Sequence, residues 1–254
     1  MGITTAYLRR CGQFKSSAEI DFSRRVSPRD LPELMDGDCS YEEFRDCLRS
    51  LGQVNRLLLG YRPTLAWLEL LASAQPEPIH LIDVGSGGGD LLRQVTIWAR
   101  KRSIAVQLTG IDLNPYAARA AKESTPKELN IAWVTGDALV YKPDKPIDIA
   151  VSSLMAHHLE DDEIISLLRW METTARLGWF INDLERSPWS CRAFSWLARL
   201  ARWHQFVHND GPVSFRRAFR KADWIRLLAA AEISEMDVTV EQWRPGRLCL
   251  GRWK

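Results

Sequence analysis

The sequence predicts an α/β fold: a mostly parallel sheet covered by helices on both faces, preceded by a helical segment. Three observations predict it. From residue 79 onward, short apolar runs alternate with amphipathic helical stretches, as a sheet buried on both faces requires. The first 75 residues hold no convincing strand. Between the first apolar run and its helix lies "LIDVGSGGGDLL", residues 81–92, a glycine-rich strand-to-helix turn. At 254 residues, 46% hydrophobic and 26% charged, the chain is long enough for one α/β domain with an appendage.

Each element follows from local pattern. "YEEFRDCLRSLGQVNRLLLG" and "YRPTLAWLELLA" carry apolar residues at helical spacing, with a break at Gly60. Residues 1–75 therefore read as a helical cap, and "AQPEP", residues 74–78, as the loop into a second unit, 76–254. In that unit "IHLIDV", "VQLTGID", "IAWVTGD", "IDIAVSS" and "GWFIND" are five strands in sequence. The helix after the first strand puts Leu91, Leu92, Val95, Trp98 and Ala99 on one face; the helix after the fourth does the same with Ile164, Leu167, Leu168 and Met171. The acids that open the latter suit the positive end of a helix dipole. After the fifth strand, "PWSCRAFSWLARLARWHQF" and "RRAFRKADWIRLLAAAEI" read as two helical stretches, and "MDVTVEQW" with "RLCLGRW", joined through Pro245 and Gly246, as an antiparallel hairpin.

Bulk properties exclude several classes. A formal net charge of +2 is far from the concentrated basic charge of a dedicated nucleic-acid binder, so no nucleic-acid partner is expected. Five scattered cysteines, Cys11, Cys39, Cys47, Cys191 and Cys249, form no CxxC pair and no zinc spacing with histidine; reduced thiols and no metal are expected. No secretory h-region and no run of about 20 apolar residues is present, which points to the cytoplasm and against stable membrane insertion. Trp189, Ala193, Trp196, Leu197, Leu200 and Trp203 make an apolar stripe, with Arg192, Arg199 and Arg202 on another face. That pattern reads as a lid helix packed on the core in preference to a membrane-touching surface.

A strand that ends in glycines and feeds a helix offers bare N–H groups and a positive helix end to an anionic group. No Gly-Lys-Ser or Gly-Lys-Thr follows, so the turn is not a P-loop. The spacing is Gly85-x-Gly87-x-Gly89, whereas the dinucleotide form needs its third glycine where Asp90 stands. Asp83, two positions before Gly85, would repel a pyrophosphate and attract an ammonium group.

"DVGSGGGD" resembles motif I of the class I S-adenosylmethionine (SAM)-dependent methyltransferases. "GIDLNP", "VTGDAL" and "IDIAVSSLMAHHL" resemble the three motifs that follow it, in order. The resemblance spans 79–254 and implies a Rossmann-like sheet of seven strands, the last antiparallel between the fifth and sixth. It implies SAM as cofactor, with Asp83 at the ammonium, Gly85, Ser86, Gly87 and Gly89 at the methionine backbone, and Asp112, Leu113 and Asn114 at the ribose. Asp137 and Ala138 would then meet the adenine, and Ser153 the methionine end. Taken singly, each aspartate is also an ordinary strand-end turn residue; three at successive strand ends meet three different needs of one ligand.

A phenol titrates near pH 10, so a histidine of pKa about 6.5 is a useful base beside it. His158, followed by His157, is the candidate catalytic base, against the alternative that either only packs. The segment after the fifth strand, about 185–216, resembles the substrate wall of a small-molecule subgroup acting on polyketide or quinone-like acceptors, as in secondary metabolism. There Asp183, Arg186, His208, Asp210 and Arg217 are the implied polar contacts. The expected function is methyl transfer to oxygen of a small hydroxylated aromatic acceptor. Carbon methylation of a quinone-like lipid, or NAD(P)-dependent oxidoreduction on a related fold, are the alternatives.

Overall fold

The computed structural model describes residues 21–71, 78–201 and 205–254. Cys11, Arg9 and Arg10, most of the "AQPEP" loop, and Arg202, Trp203 and His204 lie outside them. Seven strands form one sheet in the order β3-β2-β1-β4-β5-β7-β6. β1 (Ile79–Val84), β2 (Val106–Asp112), β3 (Ile131–Thr135), β4 (Ile149–Ser153) and β5 (Gly178–Leu184) run parallel. β7 (Arg247–Trp253) runs antiparallel between β5 and β6 (Thr239–Trp243). The Pro245–Gly246 turn thus makes the hairpin that the sequence expects.

Strand alternation sorts the core into two layers. Ile79 and Leu81 of β1, Ile149 and Val151 of β4 and Phe180 of β5 face one side, with Leu92, Val95 and Trp98 of the helix Asp90–Arg102. Ile82 and Val84, Ala150, Trp179 and Ile181 face the other, with Ile164, Leu168 and Met171 of the helix Asp161–Thr174. Successive side chains of a strand point to opposite faces, so uninterrupted apolar runs are what a doubly covered sheet needs. The helices are, in chain order, α1 (Tyr41–Leu57), α2 (Arg62–Leu68), α3 (Asp90–Arg102), α4 (Ala117–Ser124), α5 (Asp161–Thr174), α6 (Pro188–Ala201), α7 (Gln205–Arg217) and α8 (Lys221–Ala230). Ser40 caps α1 through the Glu43 N–H, and the Glu43 carboxylate accepts from the Ser40 N–H, a reciprocal pair that fixes the helix start.

Two expectations change. "RRAFRKADWIRLLAAAEI" is not one helix: its first residues end α7 and α8 starts only at Lys221. Between them the Phe219 N–H donates to Leu184 O and Phe219 O accepts from the Arg186 N–H, so backbone pairing with the end of β5 outcompetes helical hydrogen bonds. α7 also carries Gly211 and Pro212 in its interior, a proline site that ordinarily costs about 3 kcal/mol. The Phe194 ring of α6 lies where a Gly211 side chain would project, and close α6–α7 packing sets against that cost.

The second change concerns the tryptophan stripe. α6 buries Cys191 and Ala198, while Trp189, Trp196 and Leu200 are 75%, 77% and 78% exposed. The stripe is not packed on the core of the described residues. Cys191 and Trp189 are two positions apart, about 200° around a helix, so seating one face necessarily turns the other outward.

Candidate active site

The glycine turn begins at the carboxyl end of β1. Gly85, Gly87 and Gly89 have φ of +72°, +48° and +73°, a region that side-chain-bearing residues avoid. Gly89 forms the N-cap of α3 in this left-handed conformation, so the first N–H groups of α3 open onto the turn. Asp83, one residue short of the end of β1, is 2% exposed, and its Oδ1 has no hydrogen-bond partner. Burial, then the nearby carboxylates of Asp90 and Asp112, push its pKa well above the usual carboxylate range. A buried acceptor with nothing to accept is costly, and an incoming ammonium group would satisfy both the charge and the hydrogen bond.

Asp112 ends β2 and braces the turn: its carboxylate accepts from the Gly87 N–H at 2.8 Å and from the Asn114 N–H at 2.8 Å. Burial raises its pKa, opposed by those two bonds and by the positive field of His158. Each oxygen keeps a further lone pair for a diol. Leu113 is 69% exposed, and the Asn114 side chain accepts from the Tyr116 N–H. Asp137 follows β3 and accepts from the Leu139 N–H at 2.8 Å, while Ala138 is buried. Ser86 is buried within the turn, and Ser153 ends β4. This arrangement fits SAM at its three needs: an unsatisfied buried anion, bare backbone and acceptors at successive strand ends.

A second constellation lies just beyond β4. The short 3-10 turn Ala156–His158 carries both histidines. The buried His157 donates Nδ1–H to Asp183 at 2.7 Å, and its backbone N–H donates to the other oxygen of the same carboxylate at 3.1 Å. His158 places Nδ1 3.0 Å from Asp36. The Nε2 atoms of His157 and His158 lie 3.8 and 3.7 Å from the two oxygens of Glu33, which is buried. Arg217, fully enclosed, donates Nε–H to His157 O at 3.0 Å and Nη1–H to Asp36 at 3.0 Å. Burial opposes the charge on His158, but Glu33 and Asp36 outweigh it and raise its pKa. Burial works against ionised Asp183 too, yet the His157 contact holds its pKa below the ordinary value.

Beside the pair lies a cavity of about 100 Å³, lined by apolar groups such as Met35, Leu154, Phe194 and Phe215. Asn55, Asp210 and Arg247 also line it. Burial lifts the Asp210 carboxyl to about 7, although the Leu34 N–H and Met35 N–H donate to it.

Several expected residues stand elsewhere. Asp183 and Arg217 are enclosed behind the histidines instead of lining the cavity. Arg186 is spent on Phe22 O, Ala218 O and the Asp223 carboxylate, which leaves it a framework residue. His208 is half-buried on α7 and does not line the cavity. Glu33 and Asp36 escaped the sequence reading. Their one signal was "PELMDGD", an acid-flanked methionine in a stretch with no periodicity of its own.

The fold and the turn define a class: a seven-stranded sheet with an antiparallel β7 inserted beside β5 is the class I methyltransferase architecture, and residues 81–178 match the "Methyltransferase domain" family. In this stretch, less than half of its length, the chain is similar to methyltransferase domains. Among curated proteins, an uncharacterized methyltransferase of Bacillus thuringiensis (strain Al Hakam) is 33% identical over 84 residues, 33% of this chain and 36% of that protein. The match thus spans only about a third of that relative's length. Among solved structures, human N-acetylserotonin methyltransferase in complex with SAM has a TM-score of 0.62 at 18% identity, over 100% of this chain and 68% of that one. The plantazolicin methyltransferase BpumL in complex with SAH has 0.58 at 14%, over 84% and 95%. Magnesium protoporphyrin IX methyltransferase of Synechocystis PCC 6803 has 0.52 at 14%, over 87% and 91%.

Proposed function

We propose that this chain transfers a methyl group from SAM to a hydroxyl oxygen of a small aromatic or polyketide-like acceptor. The observation that carries the reading is the unpaired, buried Asp83 carboxylate beside a left-handed glycine turn, with a histidine pair and an apolar cavity next to it. Asp83 receives the ammonium, the backbone of Gly85, Ser86, Gly87 and Gly89 the methionine tail, and Asp112 with Leu113 and Asn114 the ribose. Asp137 and Ala138 receive the adenine, and Ser153 borders the sulfonium. SAM supplies an electrophilic methyl group, so the protein's own work is alignment, exclusion of water and handling of one proton.

The cavity supplies the dry surroundings, and the His157–His158 corner activates the hydroxyl. Glu33, Asp36 and Asp183 surround those rings, and this concentration of bases and anions suits removal of a proton from oxygen more than attack from an already electron-rich ring carbon. Asp183 and Arg217 hold the corner in place from behind; neither touches the acceptor.

The test is transfer of labelled methyl from SAM into a panel of phenols, hydroxylated polyketides and quinone-like lipids, with RNA as a further arm. Label on phenolic oxygen is the expected result. Label on carbon would replace the oxygen assignment, and calorimetry showing NAD binding without SAM binding would remove the reading altogether.

A further inference from the structure

The two histidine rings, Glu33 and their carboxylate partners form an arrangement that methyl transfer alone does not require. His157 Nδ1 lies 2.7 Å from Asp183, and His158 Nδ1 lies 3.0 Å from Asp36. Donation from Nδ1 to these carboxylates leaves each ring, when neutral, with a lone pair at Nε2. Both lone pairs converge on the carboxylate of Glu33, at 3.8 and 3.7 Å, and the three ligand atoms all lie within 4.8 Å of one another. Lone pairs facing a carboxylate repel it unless positive charge lies between them. These separations are too long for hydrogen bonds, but they suit atoms sharing one cation at about 2.0–2.2 Å from each.

We propose that Glu33, His157 and His158 bind one divalent first-row transition cation through the Glu33 carboxylate and the two Nε2 atoms. Two independent features support it. Histidines that ligate metals characteristically donate their other ring N–H to a carboxylate, which fixes the tautomer, and here both do. The surroundings are also anionic: Asp183 and Asp36 face the two rings beside Glu33, with Arg217 paired to Glu33 and Asp36. Imidazole and carboxylate ligands select zinc, cobalt, nickel or iron(II) in preference to magnesium or calcium. Spacing rules miss such a site because Glu33 is far from the histidines in the chain and is brought to them by the 3-10 turn Leu34–Asp36 docking on α7.

The inference deepens the reading of this corner as the acceptor site. A hydroxyl placed on the cation becomes more acidic, and its proton passes to solvent while the oxygen stays held for alkylation. Cation binding itself does not depend on that consequence.

The test uses the full chain, stripped with chelator and titrated with Co²⁺ by optical absorption and Zn²⁺ by calorimetry, with SAM affinity measured on the same sample. One equivalent of each cation should bind, with cobalt ligand-field bands of imidazole coordination. Glu33→Gln should weaken binding by more than about 100-fold, and Asp36→Asn, acting through the ring, by about 10–100-fold. His158→Ala, at a partly exposed side chain, provides a second ligand variant should Glu33→Gln fail to fold. SAM binding without specific cation binding, or ligand variants that bind cation like the parent, would overturn the metal site and leave the methyltransferase reading standing. Loss of SAM binding with cation binding intact would do the reverse.

Discussion

The proposed cofactor side and the proposed acceptor side of this molecule sit at the same edge of the sheet but are built in opposite ways. On the cofactor side each group belongs to a strand end or the turn after it: Asp83 to β1, Asp112 to β2, Asp137 just past β3, with Gly87 tied directly to Asp112. On the acceptor side the groups come from four distant segments. Glu33 and Asp36 precede α1, His157 and His158 follow β4, Asp183 is the penultimate residue of β5 and Arg217 ends α7. The first is a local device repeated along a sheet; the second exists only after the chain has closed on itself. The two regions are also electrostatic neighbours, since a charge on His158 lowers the Asp112 pKa against the larger effect of burial.

If the division is real, damage to one side should leave the other working. The largest effect is expected from Gly87→Val, which puts a β-branched side chain at φ +48° and against Leu48. Calorimetry should show SAM binding lost, by at least about 100-fold, while the acceptor-side cavity persists; an unchanged affinity would break the assignment of the turn. Next comes His158→Ala, which should slow methyl transfer by about 100-fold or more with SAM affinity within twofold, read by steady-state kinetics and calorimetry together. Asp183→Asn should lower the rate by about 10–100-fold, because an amide can offer His157 Nδ1 its N–H and so favour the wrong tautomer; again SAM affinity should hold.

A pH experiment sharpens the comparison from the cofactor side. Burial raises the Asp83 pKa, so the apo protein gains stability as pH falls through that raised value and the buried charge is neutralised. SAM binding has the opposite sign: it needs the carboxylate, takes a proton off the site, and should weaken as pH falls through the same range. Calorimetry from about pH 8 to about pH 5 checks this, and affinity that is flat or rises on acidification would remove Asp83 from the ammonium site. The smallest effect is expected at Trp196→Ala. A side chain 77% exposed should change stability by no more than about 0.5 kcal/mol, and a large drop in Tm would show that the tryptophan face of α6 is covered in solution.

Sequence legibility tracks the same division. The five parallel strands, the hairpin and the glycine turn were readable because each is written in neighbouring residues: an apolar run, a β-turn, three glycines with positive φ. From sequence, Arg186, Asp183 and Arg217 are expected to face an acceptor, whereas in the structure Arg186 binds carbonyls at Phe22 and Ala218 and the other two stand behind His157. Polarity near a site is visible in a sequence; the direction in which a side chain is spent is not. The tryptophan stripe misled for a related reason, because helical periodicity identifies a face without saying which face the rest of the chain will cover.

By itself the sequence determined the sheet, its two apolar faces and the anion-bearing strand ends, since periods of two and 3.6 residues and glycine's freedom at positive φ act over a few residues at a time. Only the tertiary structure decided that Glu33 and Asp36 would meet His157 and His158, that α6 would turn Trp189 and Trp196 outward, and that Phe219 would leave its helix to pair with β5. Those outcomes depend on contacts between segments far apart in the chain, whose energies compete only once the core has formed.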